Sequence, residues 1–304
     1  TLHRLLGARP PSPYFKYNKD NPLPYDIVVV DEVSMIDLPL MCKLVNALKK
    51  GTRLILLGDK DQLASVETGS VLADLTIALP EYTQELKKTY RFSGQIKTFA
   101  DAVNQQRERD AWELLIQNHA QVLLLKKDLI EFIVNKQTVY LQLISDGAEF
   151  KHCFDAFNSF QVLCATRQGV NGVADINLRV TQQLKERKLI QSSRLWYSGR
   201  PVMVTQNDPV LRLYNGDIGI CMPDAESDGK LMVFFLLPDG AIRKYMPARL
   251  SYCETVFAMT IHKSQGSEFN EVLLVLPESM NPVLTKELIY TGVTRAKKFL
   301  KLVT

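Results

Sequence analysis

The sequence predicts an α/β protein built on parallel sheets, with a small antiparallel β unit inserted between residues 199 and 253. Three observations carry this. Ile27-Val28-Val29-Val30 and Leu54-Ile55-Leu56-Leu57 are unbroken apolar runs, the first closed by Asp31-Glu32 and the second by Gly58-Asp59. Runs without polar alternation are how strands covered on both faces of a parallel sheet read. A helical pattern separates them, so the trio forms a βαβ unit with a right-handed crossover. From Gly199 to Tyr252 the texture changes to short strands with turn signals such as Asn215-Gly216-Asp217 and Pro238-Asp239-Gly240.

Taken in order, residues 10–26 form a Pro/Asn-rich loop leading into the first strand. Asp37 caps the following helix, Pro39 sits in its first turn and Gly51 lies past its end. Leu38, Met41, Leu44, Val45 and Leu48 share one face at helical spacing. Residues 69–79 read as helix, and periodicity is lost around Pro80–Gln84, as at a loop or a missing segment. From Ser93 to about Gln117 the pattern is helical, with Ile96, Phe99, Ala100 and Val103 on one face. A helix over 127–144, a strand over Gln161–Ala165 and a helix over 172–188 follow. Pro201–Thr205, Ile218–Met222, Leu231–Leu237 and Ala241–Met246 are short strands of a barrel of about five. Val256–Ile261, Val272–Leu276 and Phe299–Val303 return to apolar strands, with a helix near 285–297.

Composition excludes several classes. Of 304 residues, 46 % are hydrophobic and 37 Lys+Arg face 33 Asp+Glu, a net +4. That is too apolar for a disordered chain, and no run approaches the ~20 residues of a membrane span. The length fits two domains and a small third. Cys42, Cys153, Cys164, Cys221 and Cys253 form no CxxC pair, and His3, His119, His152 and His262 do not complete a ligand set with them. The expectation is reduced thiols, a cytoplasmic setting and no structural zinc. The start Thr1-Leu2-His3, with no Met and no signal segment, reads as a cut inside a larger protein.

The chemistry concentrates at strand ends. Asp31-Glu32 close a buried strand, at the sheet edge where open α/β sheets bind ligands. In nucleoside triphosphatases such an Asp holds Mg²⁺ and a neighbouring Glu polarises the attacking water; two surface acids are the plain alternative. Gly58-Asp59-Lys60-Asp61-Gln62-Leu63 closes the next strand and places Gln62 at the same edge. Its amide can contact a γ-phosphate and the attacking water. In Thr260–Phe269, hydroxyls, His262 and Lys263 surround Gly266 and suit phosphate contacts, while Glu268 can accept from a ribose hydroxyl. Arg295, in Tyr290–Lys298, and Arg91, in Tyr90-Arg91-Phe92, have the chemistry to meet transition-state charge. For either alone a surface salt bridge is the simpler reading. Basic residues cluster at 179–200 and 286–301, with Trp196, Tyr197 and Tyr214 near the first cluster, a combination suited to single-stranded nucleic acid. A core role for Trp196 is the stronger reading. No G-x-x-x-x-G-K-[ST] loop occurs in these residues, and Asn18-Lys19-Asp20-Asn21 lacks the final Asp of an N-K-x-D guanine reader.

As an ordered set, Asp31-Glu32, Gly58-Asp59-x-x-Gln62-Leu63, Tyr90-Arg91-Phe92, Asn215-Gly216-Asp217, Thr260–Phe269 and Thr291–Lys298 resemble superfamily 1B DNA helicases. Thr1–Gly7, Asp31–Asp37, Leu63–Glu67 and His262–Phe269 resemble the RecD-type branch, the α subunits of exodeoxyribonuclease V. The resemblance spans nearly the whole chain and lacks the family's Walker A loop, so the chain corresponds to a C-terminal portion. It implies RecA-like P-loop motor domains: 1–89 as part of the first, 90–198 with 254–304 as the second, and 199–253 as an inserted SH3-like barrel. It implies ATP and Mg²⁺ as cofactors, 5′→3′ translocation on single-stranded DNA, and assembly with RecB and RecC in double-strand break repair and recombination. By motif, Asp31 resembles the Mg²⁺ residue and Glu32 the catalytic carboxylate. Gln62, Arg91 and Arg295 resemble γ-phosphate sensors, and Gly266 and Glu268 line the nucleotide side. Thr1, His3, Asn215, Thr260, His262 and Ser264 resemble DNA contacts. Without the phosphate loop, such a fragment is not expected to hydrolyse ATP alone. The competing expectation is a non-catalytic DNA-binding or assembly module of motor architecture.

Overall fold

A computed structural model describes the chain except residues 10–11, 66–70, 87–93, 118–119, 127, 192–193, 238 and 280. The chain divides into two compact units, Thr1–Thr89 and Tyr90–Thr304.

The first unit opens with the single-turn helix α1 (Leu2–Leu5), capped by the Thr1 hydroxyl, which accepts from the Arg4 amide at 3.3 Å. Strand β1 (Ile27–Val30) runs parallel to β2 (Arg53–Leu56) with Val30 opposite Leu56. The connecting helix α2 (Leu38–Asn46) starts where expected, with the Asp37 carboxylate accepting from the Leu40 amide at 2.6 Å. Helix α3 (Val71–Ala78) follows. Leu6, Leu23, Val28, Val30, Val33, Met41, Leu44 and Leu72 form the core.

Two expectations fail here. Among the described residues one face of the sheet is covered: Val28 and Val30 are buried, whereas Ile27 and Val29 are 57 % and 58 % exposed. Leu38 and Val45, placed on the inner face of α2, are also more than half exposed. The apolar run reports a sheet built to be covered on both sides; in this unit the described helices pack on one.

The second unit begins with α4 (Gln95–Asn104) and α5 (Glu108–Ile116), where the sequence suggested one helix over 93–117. Gln106 takes a left-handed φ of 55° and the Arg107 amide donates back to Ala102 O at 2.8 Å, which ends α4. Both helices are amphipathic, so the apolar period runs through a break made by the backbone. Then come β3 (Val122–Leu124), α6 (Leu129–Ser145), α7 (Phe150–Asn158), β4 (Phe160–Cys164) and α8 (Val173–Glu186). Next are β5 (Pro201–Val204), β6 (Ile218–Asp224), β7 (Lys230–Leu236), β8 (Ile242–Tyr245), β9 (Cys253–Thr255), β10 (Ala258–Thr260), β11 (Phe269–Val275), α9 (Lys286–Val293) and β12 (Ala296–Val303).

A five-stranded parallel sheet has the order β10-β4-β11-β12-β3. A five-stranded antiparallel sheet has the order β8-β7-β6-β5-β9 around Val202, Val204, Leu213, Val233 and Phe235. It leaves the chain after α8 and returns it at β10, the neighbour of β4, so it is an excursion from the parallel layer. The run Val256–Ile261, read as one strand, holds β10 of the parallel sheet, while β9 of the antiparallel sheet ends just before it at Thr255. Val256 and Phe257, between them, are fully buried. Helix α9 also stops short of the expected 297, because β12 has begun by Ala296. All five cysteines are free, and burial pushes the Cys164 and Cys221 thiols up to about 12. No described helix is long and apolar enough to cross a membrane.

Candidate functional site

In the first unit the pairing of β1 and β2 continues past both strand ends. The Leu57 amide donates to Val30 O at 2.8 Å and the Val33 amide to Leu57 O at 3.0 Å. These two bonds hold Asp31-Glu32 beside Gly58. Asp31 is exposed, and its Oδ1 accepts from the Glu32 amide at 2.8 Å. Glu32 sits in the left-handed region, φ 55° and ψ 42°, at the entry to a 3₁₀ turn over Val33–Met35. Non-glycine residues held there cost of order 1–3 kcal/mol and concentrate at functional sites.

After β2, Asp59 organises the second loop. Its Oδ1 accepts from the Asp61 amide at 3.0 Å, and its Oδ2 accepts from Gln62 Nε2 at 3.1 Å. Gln62 is only 8 % exposed, and its buried Oε1 has no hydrogen-bond partner among the described residues. Buried polar atoms are almost always paired. An amide fixed through its nitrogen, with its oxygen unpaired, is a group waiting for a donor. Gly58 makes the approach of the two loops possible: a Cβ there would lie 2.8 Å from Leu72 Cδ2 and 3.1 Å from the Val33 amide nitrogen. Gly58→Ala is expected to destabilise the protein by about 1–3 kcal/mol through this overpacking; a thermal unfolding midpoint unchanged from the parent would show that the loops can part freely.

In the second unit, β10 runs into the 3₁₀ turn His262–Ser264. Thr260 Oγ1 accepts from the Lys263 amide at 3.3 Å. Lys263 Nζ donates to Asn215 Oδ1 at 2.8 Å, which ties this turn to the β5–β6 connection. His262 is half-buried, and burial lowers its imidazole below the usual 6.5, so it is neutral near pH 7. Ser264 departs from expectation. It is fully buried and its hydroxyl donates to Ile261 O at 2.7 Å, so it braces the turn instead of facing a strand of DNA. Gly266 has φ 76°, which suits glycine. The Glu268 carboxylate, expected to accept from a ribose, meets Lys297 Nζ at 2.5 Å. Arg295, expected to meet transition-state charge, with a surface salt bridge as the plain alternative, is 1 % exposed. Its Nε donates to Thr291 O, its Nη1 to Ser267 O, both at 3.1 Å, and its Nη2 to Thr294 Oγ1 at 3.3 Å. It therefore joins the end of α9 to the Gly266–Glu268 loop.

Thr1 and His3 lie on the surface of the first unit, Thr1 as the cap of α1 and His3 edge-on to Phe15 at 5.6 Å. Arg91 lies outside the described residues. Part of each basic cluster is ion-paired. Arg179 meets Asp175, Arg187 meets Glu131 and Lys301 meets Glu271. Arg200 is buried, stacked 4.5 Å over the Trp196 ring and bonded to Thr255 Oγ1 and Leu195 O. Trp196 thus supports an internal cation. Lys263 and Lys297 were not singled out as links by the sequence; only the fold shows that each faces a motif partner.

The structural neighbours and the two parallel sheets define the class: an α/β, RecA-like helicase fold. Residues 1–123 match the family described as AAA domain, and residues 255–303 match the UvrD-like helicase C-terminal domain. Among solved structures, the Bacteroides Pif1 helicase crystallised with ADP-AlF3 and ssDNA superposes with a TM-score of 0.55 at 16 % identity, over 99 % of this chain and 78 % of that one. More specifically, the chain is similar over nearly its whole length to RecD subunits of the RecBCD enzyme. It is 39 % identical to the RecBCD enzyme subunit RecD of Mycolicibacterium smegmatis over 100 % of its length, and 37 % identical to that of Haemophilus influenzae over 98 %. An ATP-dependent RecD2 DNA helicase of Deinococcus radiodurans matches at 32 % over 98 % of this chain and 38 % of its own length. The chain spans about half the length of the RecD relatives, 54 % of each of the first two.

Proposed function

We propose that this chain is the C-terminal motor portion of an ATP-dependent 5′→3′ DNA helicase subunit. It would act on single-stranded DNA in the cytoplasm, with RecB and RecC as partners in double-strand break repair. Residues 1–89 belong in this reading to the first motor domain, 90–198 with 254–304 to the second, and 199–253 to an SH3-like barrel inserted in it. The observation that carries the reading is the convergence of Asp31, Glu32 and Gln62 at one sheet edge, with the Gln62 oxygen buried and unpaired among the described residues.

The residues present fit a magnesium nucleotide. Asp31 offers an exposed carboxylate at the C-terminal end of a parallel strand, as such sites require. Among the described residues no group of three or more His, Cys, Asp or Glu could hold a metal, so Asp31 would supply a single carboxylate. When bound, the cation neutralises charge on the phosphates. Glu32 would take a proton from the attacking water, held in place by its constrained backbone. Gln62 would accept a hydrogen bond from that water through Oε1 while Asp59 fixes its nitrogen. Arg91 and Arg295 would answer phosphate charge, and Gly266 and Glu268 would flank the nucleotide. On the strand-binding side, Thr1, His3, Asn215, Thr260 and His262 would meet the DNA backbone, His262 as a neutral hydrogen-bond donor.

Single-strand-stimulated ATP hydrolysis tests the reading, measured on this chain and on a version extended to the full length of its relatives. Activity confined to the extended version is the expected result. Activity in neither favours the non-catalytic DNA-binding module. Activity in this chain alone would mean that the phosphates are held elsewhere.

A further inference from the structure

Strand β10 is the edge of its parallel sheet, and it leads directly into Thr260 and His262. The Ile261 amide donates inward to Cys164 O on β4 at 3.1 Å, so the alternate residues Ala258 and Thr260 turn their peptide groups to the open side. An edge strand with unmet amides can fray or slide. Here the edge is met by a side chain. Asn177, on α8, accepts from the Ala258 amide through Oδ1 at 2.9 Å and donates to Ala258 O through Nδ2 at 3.1 Å. A carboxamide carries one acceptor and one donor group side by side, as a peptide unit does. Asn177 thus pairs with Ala258 as a further strand residue would, two positions before Thr260.

Other features of the turn make this anchor matter. Thr260 Oγ1 is used by the Lys263 amide, and Lys263 reaches Asn215, so the turn moves as one piece with the end of β10. Asn177 fixes the other end of that piece. Its neighbours Ile176 and Val180 are fully buried, which seats this stretch of α8 on the core and gives the clamp a rigid base.

We infer that Asn177 is a positioning residue for single-stranded DNA: its two hydrogen bonds to Ala258 set the register of β10 and hold Thr260 and His262 in place for the sugar–phosphate backbone. The inference rests on the DNA-helicase reading above. Asn177 touches neither DNA nor nucleotide, and its effect passes through the strand.

The test uses the full-length protein with a poly-dT oligonucleotide. Asn177→Asp is nearly isosteric but sets a carboxylate against Ala258 O; Asn177→Ala removes both bonds. Both are expected to raise the oligonucleotide concentration for half-maximal ATPase stimulation about tenfold, the consequence of losing one or two such bonds. The maximal rate and the half-saturating ATP concentration should stay within twofold. Amide exchange at Ala258 should quicken in parallel. Half-saturating oligonucleotide unchanged in both variants, with Ala258 exchanging faster, would overturn the inference and leave the helicase reading intact. So would equal losses in maximal rate, ATP and DNA dependence, which mark a merely structural role. A parent protein without DNA stimulation would remove the helicase reading itself, and the inference with it.

Discussion

Glu32→Gln in the full-length protein is expected to lower the maximal rate of ATP hydrolysis by about 10²–10⁴-fold, the range a positioned general base contributes, while nucleotide affinity changes little. The amide keeps the size of the side chain and its bonding reach but cannot take a proton from water. Glu32→Gly gives the complementary result. Glu32 occupies the left-handed region at φ 55°, where a side chain costs about 1–2 kcal/mol that glycine does not. That substitution should abolish turnover and leave the protein no less stable, or about 1 kcal/mol more stable once the greater freedom of glycine in the unfolded chain is set against the relief. Opposite signs for activity and stability at one residue identify strain kept for function. Calorimetry beside single-strand-stimulated hydrolysis would show it. Turnover retained in Glu32→Gln would take Glu32 out of the catalytic role.

The strands were easiest to read because their signal is local. Ile27–Val30 and Leu54–Leu57 are apolar and β-branched or leucine-rich, and they fall within a residue of β1 and β2. The Asp37 cap was legible for the same reason: one side chain satisfies an amide three residues on. What failed depended on partners far along the chain. No run of residues could show that the chain passes from the antiparallel to the parallel sheet between Thr255 and Ala258, since both sheets bury their strands. Nor could the pattern reveal that Ile27 and Val29 are exposed in this chain, because alternation reports what a face is built to meet. In the candidate site, Asp31, Glu32 and Gln62 were legible as strand-end residues. The inward turn of Ser264 was not, because it depends on the 3₁₀ turn that carries its hydroxyl back to Ile261 O, nor was the pairing of Glu268 with Lys297, which depends on where the start of β12 meets the loop after Gly266. Asn177 left no sequence signal beyond a polar residue beside a buried helix face, a common feature of surface helices.

Arg295 separates two roles that sequence motifs merge. Its guanidinium is buried and donates to Thr291 O, Ser267 O and Thr294 Oγ1. Arg295→Ala strips these acceptors of a donor and opens a hole, so it is expected to cost about 3 kcal/mol or more of stability. Loss of hydrolysis in that variant would therefore say nothing about phosphate. Arg295→Lys is the informative change. An ammonium on a flexible stem can reach one of the carbonyls and keep part of the packing, so the stability loss should fall to about 1–2 kcal/mol. It cannot reproduce the planar fork. If Arg295 answers γ-phosphate charge in the working protein, the guanidinium exchanges neutral carbonyl acceptors for an anion, a stronger partner. Hydrolysis in Arg295→Lys should then fall about 10³-fold or more, the scale of an arginine finger, at temperatures where the variant is fully folded. Near-parental turnover in Arg295→Lys, with only the melting temperature lowered, would make Arg295 a brace between α9 and the Gly266–Glu268 loop and leave the transition-state charge to another cation.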